Sequence, residues 1–364
     1  MGCCSPNKIQ ESEFIHNLSK IKDLKDDEII STIRNNENNE NNENNENINT
    51  DGDKDKIDNI VNISNKYNFE EKQPEVLKQE KIKDKEESGF SLISSSERDN
   101  TTKISESDYQ NVLSLYPELT TENKDKIEIK KNMILDDKSI YYGEYNTEKN
   151  IKEGRGILIW PNGAKYTGYF QNNMQNIKGK IYHADGDIYE GEWLDDKANG
   201  EGKYIRKGLI YEGQWKNDRQ NGHGIEKLDD GSYYEGDFVN GKKEGKGKYV
   251  WADGSSYIGE FKDNAFNGKG KYIWDNRREY DGDWVNGKME GKGIFKWPDG
   301  RRFEGNYVND KKEGYGEYFF SDGKIFKGMW KNGLQNGEGE MYDPKKNKTK
   351  KGIWEDGKIV RWIK

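Results

Sequence analysis

The chain has 364 residues and a formal net charge of −8, with 35% charged and only 30% hydrophobic residues and a mean hydropathy of −1.23. That balance excludes a conventional aliphatic core over the whole length. No run approaches the ~20 apolar residues of a transmembrane helix, and Cys3 and Cys4, the only cysteines, exclude a disulfide scaffold. Yet 12% of the residues are aromatic and 41 are glycine, which no acidic disordered chain should show. The averages combine two regions. Residues 1–138 hold 6 aromatics, no Trp, 3 Gly and a net charge of −11, whereas residues 139–364 hold 38 aromatics, all ten Trp, 38 Gly and a net charge of +3.

Residues 1–8 begin Met-Gly-Cys-Cys-Ser-Pro and resemble a dual-acylation signal. Gly2 would take a myristoyl chain once Met1 is removed, and Cys3 and Cys4 palmitoyl chains. A single chain binds membranes marginally and a second makes the anchor stable. Pro6 occupies the place where the signal usually has Ser or Thr, with Ser5 one position early. The alternative is a terminus bearing two free thiols. Adjacent cysteines with no nearby histidine chelate metal poorly, so neither a metal nor a cofactor is expected.

Residues 9–34 carry Phe14, Ile15, Leu18, Ile21 and Leu24, then Ile29, Ile30 and Ile33, at the spacing of an amphipathic helix. Residues 35–125 read as a disordered, Asn- and acid-rich tether. Asn-Asn-Glu recurs up to Glu46, and such a tract cannot bury enough apolar area to offset its ordering entropy. Asp51 to Asn62 starts like a calcium loop but has Lys56 where the sharp turn needs Gly and Asn62 where the bidentate Glu belongs. Order is expected to return around Val112, Leu113, Leu115 and Tyr116.

From 126 to the end a repeat governs the chain. An aromatic-x-Gly-x-aromatic pattern starts at Tyr141, Tyr166, Tyr189, Tyr211, Tyr234, Tyr257, Tyr280, Phe303 and Phe326, and a half repeat follows at Gly352-Ile353-Trp354. The fifth unit has Tyr234, Gly236 and Phe238, then Gly245, Gly247, Tyr249 and Trp251. Period two means strands with these residues on one face. Asp253-Gly254 and Asn240-Gly241 mark tight turns, because Asp, Asn and Gly tolerate positive φ. Each unit is therefore a hairpin, with glycine gaps filled by aromatic rings. Acidic residues on the first strand (Glu190, Glu192, Glu235, Asp237, Glu260) alternate with the aromatics, and lysines on the second (Lys246, Lys248, Lys269, Lys271) face them, for ~0.2–1 kcal/mol per pair. The fold class is all-β: an elongated single-layer antiparallel meander of about nine hairpins. Eighteen strands would stack to about 85 Å. Ile127, Ile129, Met133 and Leu135 are expected to cap its first end, and Ile359, Val360, Trp362 and Ile363 its last.

This pattern resembles the MORN repeat (membrane occupation and recognition nexus). Four units depart from it: Ile177 replaces a Gly of the second, which predicts a distorted hairpin, Arg277 replaces the turn Gly of the sixth, the third is one residue short, and the ninth carries a basic insertion around Lys345 to Lys351. The resemblance implies a non-enzymatic, membrane-anchored scaffold at a cytosolic membrane face or cortical cytoskeleton, with a homodimer through the carboxyl-terminal repeats. No nucleophile elbow, phosphate loop, kinase signature or metal spacing is present, so neither a small-molecule substrate nor nucleic acid is expected. The alternative is a phosphoinositide- or phospholipid-binding module, or a regulatory subunit that recruits a lipid or protein kinase. The expected interaction surface is the aromatic face: Tyr189, Trp193, Tyr211, Trp215, Tyr234, Phe238, Tyr257, Phe261, Tyr280, Trp284, Phe303, Tyr307, Phe326 and Trp330. Candidate head-group contacts are Lys242, Lys243, Arg301, Arg302, Lys311 and Lys312.

Overall fold

A computed structural model describes residues 103–118 and 126–364; the acylation signal, the segment 9–34 and most of 35–125 lie outside the described residues. Among the described residues one helix, α1 (Glu106–Leu115), precedes β1 (Ile127–Ile134), β2 (Ile140–Asn146), β3 (Ile151–Ile159), β4 (Lys165–Gln171), β5 (Met174–Tyr182), β6 (Ile188–Leu194), β7 (Lys197–Arg206), β8 (Leu209–Lys216), β9 (Arg219–Leu228) and β10 (Tyr233–Val239). The strands continue with β11 (Lys242–Val250), β12 (Ser256–Lys262), β13 (Ala265–Ile273), β14 (Glu279–Val285), β15 (Lys288–Lys296), β16 (Arg302–Val308), β17 (Lys311–Phe319), β18 (Ile325–Lys331), β19 (Leu334–Asp343), β20 (Lys348–Glu355) and β21 (Lys358–Ile363). Each strand pairs antiparallel with the next, from β1–β2 through β20–β21, in one open sheet. Strands β2 to β19 are nine hairpins, one per sequence unit, β1 is the first cap, and β20 is the half repeat. The first cap uses Met133 and Leu135, which pack on the main core, while Ile129 and Ile134 face outward. At the other end Ile359 packs on the core, but Val360, Trp362 and Ile363 stay exposed.

The fifth hairpin shows how a unit is held. Gly236 and Gly247 stand opposite each other across β10 and β11, and the Tyr234 ring lies over both. A Cβ on Gly247 would sit 2.5 Å from the Tyr234 ring and hydroxyl, closer than any side chain can stand. The Tyr234 hydroxyl continues along its own strand and donates to the Asp237 carbonyl at 3.0 Å; Tyr189, Tyr211, Tyr257 and Tyr280 do the same to the carbonyl three residues on. Burial pushes the hydroxyls of Tyr211, Tyr234, Tyr257 and Tyr280 well above the ordinary tyrosine value, so they remain donors. From the second unit on, the second aromatic stands edge-on between the first aromatics of its own and the preceding unit: Trp193, for example, meets Tyr166 and Tyr189 with ring centroids at 5.4 and 5.1 Å. The indoles of Trp193, Trp215, Trp284 and Trp330 donate to a glycine carbonyl of the preceding unit at 2.9–3.2 Å.

Within each hairpin the register slips by two residues after the first-strand glycine. A slip of two keeps every side chain on its face, where a slip of one would invert them. The second strand takes up the slip at a left-handed residue, Gly245 (φ 68°) in the fifth unit. The acidic residue after the first-strand glycine also folds over this bulge: Glu260 accepts the Lys269 N–H at 3.3 Å and Asp283 that of Lys292 at 3.0 Å, while Asp283 keeps the expected partner across the neighbouring strand, Lys269, at 2.6 Å. The other acidic row behaves as expected, with Lys180–Glu190 at 3.2 Å and Lys203–Glu212 at 2.6 Å across neighbouring strands.

The two kinds of turn differ. At the Asn-Gly type both residues are left-handed, 51° and 81° at Asn240 and Gly241. At the Asp-Gly type only the glycine is, 85° at Gly254; Asp253 instead accepts the Ser255 N–H at 2.9 Å. This corrects the expectation that both positions use positive φ. The Asn-Gly turns also grip the preceding unit. The N–H of the second turn residue donates to it, as in Asn264 to the Lys243 carbonyl at 3.0 Å. Where that residue is Asn or Asp, its side chain accepts a bond back, as Asn264 does from the Lys243 N–H at 2.7 Å and Asp310 from Met289 at 2.7 Å.

Helix α1 stands within the stretch that composition assigns to the tether. Ser105 caps it and Asp108 completes a capping box. Ile104, Tyr109, Val112 and Tyr116 are buried against Tyr142 and Ile157 on the face of the sheet opposite the aromatics, with Leu113, Ile140 and Ile159 at the margin. A local apolar stripe thus outweighs the polar average around it. Tyr109 stacks on Tyr142 with centroids at 5.0 Å, and Asn132 holds both backbone groups of Ile104, at 2.7 and 3.1 Å. Hydrogen bonds from Lys131, then Tyr142 and Gln110, hold the Glu106 carboxyl down to about 2.

Two predictions follow from this geometry. Ile177 occupies the left-handed bulge position of the second unit (φ 61°), and its hairpin β4–β5 shows the same two-residue slip as the others. The expected distortion is therefore confined to one strained backbone. Left-handed conformation costs a non-glycine residue ~1–2 kcal/mol, and the half-exposed side chain returns little of it, so Ile177→Gly should raise stability by about 1 kcal/mol, read as a higher urea midpoint. A carboxyl with a lowered folded value contributes stability that is present above its unfolded value near 4.5 and is lost as pH falls toward 2. Protection factors of the α1 amides, taken relative to intrinsic exchange at each pH, should therefore fall over that window, and Glu106→Gln should remove that fall.

Candidate functional site

The aromatic residues expected to form an interaction surface do not present one. Tyr189, Tyr211, Tyr234, Tyr257, Tyr280, Phe303 and Phe326 have no exposure, and Trp193, Trp215, Phe238, Phe261, Trp284, Tyr307 and Trp330 at most 5%. Each ring is covered by its neighbours in one continuous cluster, so these residues are structural.

The six basic candidates divide. Lys243 and Lys312 are buried, at 8% and 6% exposure, because their place in the repeat faces the aromatics; Phe266 and Met289 hold it in the units between. The Lys312 ammonium sits 5.1–5.4 Å from the ring centroids of Trp297, Phe303, Tyr318 and Trp330. Lys243 lies over Tyr234 at 5.2 Å and is bonded to buried Glu226 at 2.6 Å. Neither can reach a head group. Arg301 stacks on Trp297 and bonds Asp299, and Arg302 lies 4.1 Å from the Phe319 centroid. Lys242 bonds Asp263 at 2.7 Å, and Lys311 is exposed.

The available surface is the opposite face. Along the Asn-Gly turn edge, the last residue of a first strand stands beside the first residue of the second. Leu194 pairs with Lys197, Val239 with Lys242, Val285 with Lys288 and Val308 with Lys311. The four aliphatic residues are 44–50% exposed. Lysine beside an exposed aliphatic recurs in the third, fifth, seventh and eighth units, with Lys216 beside Arg219 and Lys262 beside Ala265 in the two units between, and makes an amphipathic edge. The sequence carried this signal in the residues bracketing each turn, but doublets such as Lys242-Lys243 drew attention to both members when only the first points outward. Among the described residues no cluster of His, Cys, Asp and Glu is placed to hold a metal ion, and no helix is long and apolar enough to cross a membrane.

The MORN repeat family model matches residues 141–165, 189–207, 211–233, 234–256, 257–277, 280–301, 303–325 and 326–348. The chain belongs to the MORN-repeat family. The second unit, which carries Ile177, is passed over by that match although its hairpin is present. No curated protein matches the chain. Among solved structures, a mutant TCP10 domain of Danio rerio CPAP is similar at 10% identity over 57% of this chain and 98% of that one, with a TM-score of 0.33. The TCP domain of Drosophila melanogaster SAS-4 (dCPAP), in complex with a proline-rich motif of Ana2, is similar at 12% identity over 52% and 95%, with a TM-score of 0.27. These scores are too low for any conclusion about function.

The burial of Lys312 has a measurable consequence. Its stem and ammonium fill a space walled by four rings, so Lys312→Ala should lower stability by ~1–3 kcal/mol through lost packing and cation–π contact. Lys311→Ala, one residue away on the outer face, should change it by less than ~0.5 kcal/mol. Thermal unfolding of the two variants separates them.

Proposed function

We propose that this chain is a membrane-anchored scaffold: acyl chains on Gly2, Cys3 and Cys4 hold it at a cytosolic membrane face, and the repeat array binds proteins there without catalysing a reaction. The observation that carries this reading is the repetition of one outer-face chemistry along the array. A linear series of equivalent contacts suits binding and alignment, whereas catalysis needs one converging site. The edge of β21, with Val360, Trp362 and Ile363 exposed, suits pairing with a second copy, and sedimentation at micromolar concentration tests that part. The main test is localisation of a fluorescent fusion in cells. Gly2→Ala, or Cys3→Ala with Cys4→Ala, should release the protein into the soluble fraction. Retention on membranes by both variants would sink the acyl-anchor reading.

The lysine–aliphatic edge supports a second reading, direct contact with anionic lipid, since aliphatic residues at the acyl boundary and lysines at the head groups act together. Unacylated full-length protein should then co-sediment with anionic vesicles in a salt-sensitive manner, and Val239→Asp with Val285→Asp should weaken that binding at least tenfold. Indifference to both salt and these substitutions would leave protein binding as the array's role.

A further inference from the structure

The outer face carries a second ordered feature, near the Asp-Gly turn edge. The strand registers place Ile140, Ile159, Lys165 and Tyr182 side by side across β2 to β5. They continue through Ile188, Ile205, Ile210, Lys227, Tyr233 and Val250 across β6 to β11. This is one apolar row, interrupted only at two lysines. Helix α1 lies on its beginning, over Ile140 and Ile159, and is followed by Tyr116, buried in the same cluster. Beyond that point the row is uncovered: Tyr182 is 40% exposed, and Ile188, Ile205, Ile210, Tyr233 and Val250 are half-buried.

Three observations say what fits there. Helix α1 packs on this side of the sheet through Tyr109, Val112 and Tyr116, with Leu113 at the margin, an aromatic and apolar residues on one helical face. Phe14, Leu18 and Ile21 likewise put an aromatic and two apolar residues on one helical face. From Tyr182 on β5 to Val250 on β11 there are six inter-strand steps, about 29 Å at ~4.8 Å each. The twenty residues Phe14–Ile33 would span about 30 Å as a helix. The 68 residues from 35 to 102 that separate this segment from the array have a random-coil reach of roughly 45 Å, which gives an effective concentration in the millimolar range.

We propose that the segment Phe14–Ile33 of this chain docks as an amphipathic helix on the outer-face row Tyr182–Val250, continuing the interface that α1 begins. The docked segment lays the Gly2-Cys3-Cys4 end beside the array instead of at the far end of a long tether. The inference is independent of what the array binds.

Hydrogen exchange on the full-length protein tests it. Amides of 14–33 should exchange at least tenfold more slowly than in the Leu18→Glu/Ile21→Glu variant, which leaves the array untouched. Ile210→Glu should abolish the same protection while exchange in β2–β19 stays unchanged. In a chain with Cys3→Ser and Cys4→Ser, Ile21→Cys with Ile210→Cys should be joined by a short bis-maleimide, and Ile21→Cys with Lys331→Cys should not; this pair decides the matter if Ile210→Glu disturbs the sheet. Fast exchange of 14–33 in the unsubstituted protein overturns the proposal. So does equal crosslinking of the two cysteine pairs, or protection that rises with protein concentration, which would assign the row to a second copy.

Discussion

The structure rests on one close approach: a tyrosine or phenylalanine ring laid flat over two glycines that face each other across a hairpin. Gly236 and Gly247 leave no side chain between them, so the Tyr234 ring occupies the place where two Cβ atoms would stand. Everything else about the unit answers to that ring. Its hydroxyl needs a carbonyl, so the strand supplies one three residues on. Its edge needs a partner, so Phe238 stands perpendicular to it, with centroids 5.1 Å apart. A sheet one layer thick thereby acquires a core from about three aromatic side chains per hairpin, which is how a chain with 30% hydrophobic residues folds over more than two hundred of them.

Because the core is made entirely on one face, the other face is left free to vary, and it varies with position along the array. In the first unit it carries Tyr142 and Ile157 and receives α1. In the middle units the same register holds Glu190, Lys203 and Glu212, which pair with one another. Folding and recognition are thus carried by different residues of the same strand, alternating one by one, and a change on the outer face leaves the ring-on-glycine contacts untouched.

The hairpins and their number were legible in the sequence because period two and the turn residues act locally, whereas of the expected cap residues only Met133, Leu135 and Ile359 pack on the core. The nine starts from Tyr141 to Phe326 each begin a hairpin, and Gly352-Ile353-Trp354 lies in β20, which with β21 forms the strand pair that ends the sheet. What escaped was anything set by a bulge or a neighbour. Asp237 and Glu260 alternate with aromatics and so read as partners for lysine, which their counterpart Asp283 is for Lys269; that the two-residue slip also draws such residues over the bulge backbone is set by the register. Lys243 and Lys312 read as half of an exposed doublet, yet the count of residues from the turn sends them inward. The aromatic face read as open because single-sequence reasoning sees each strand alone; only the next unit's rings close it. The chemistry of the turn edge was present in Val239, Lys242 and their counterparts, but becomes visible only when the register sets them side by side.

The backward bonds of the Asn-Gly turns have a consequence for how such a protein can change its size. Each turn touches only the unit before it, through the same two or three groups, and nothing in the sheet reaches further. Removing or duplicating one whole unit therefore creates no new kind of contact and alters the distance between the ends of the array by one hairpin width, about 10 Å. The array is a ruler graduated in repeats, and the spacing it can impose on whatever it holds is written in the count of its hairpins.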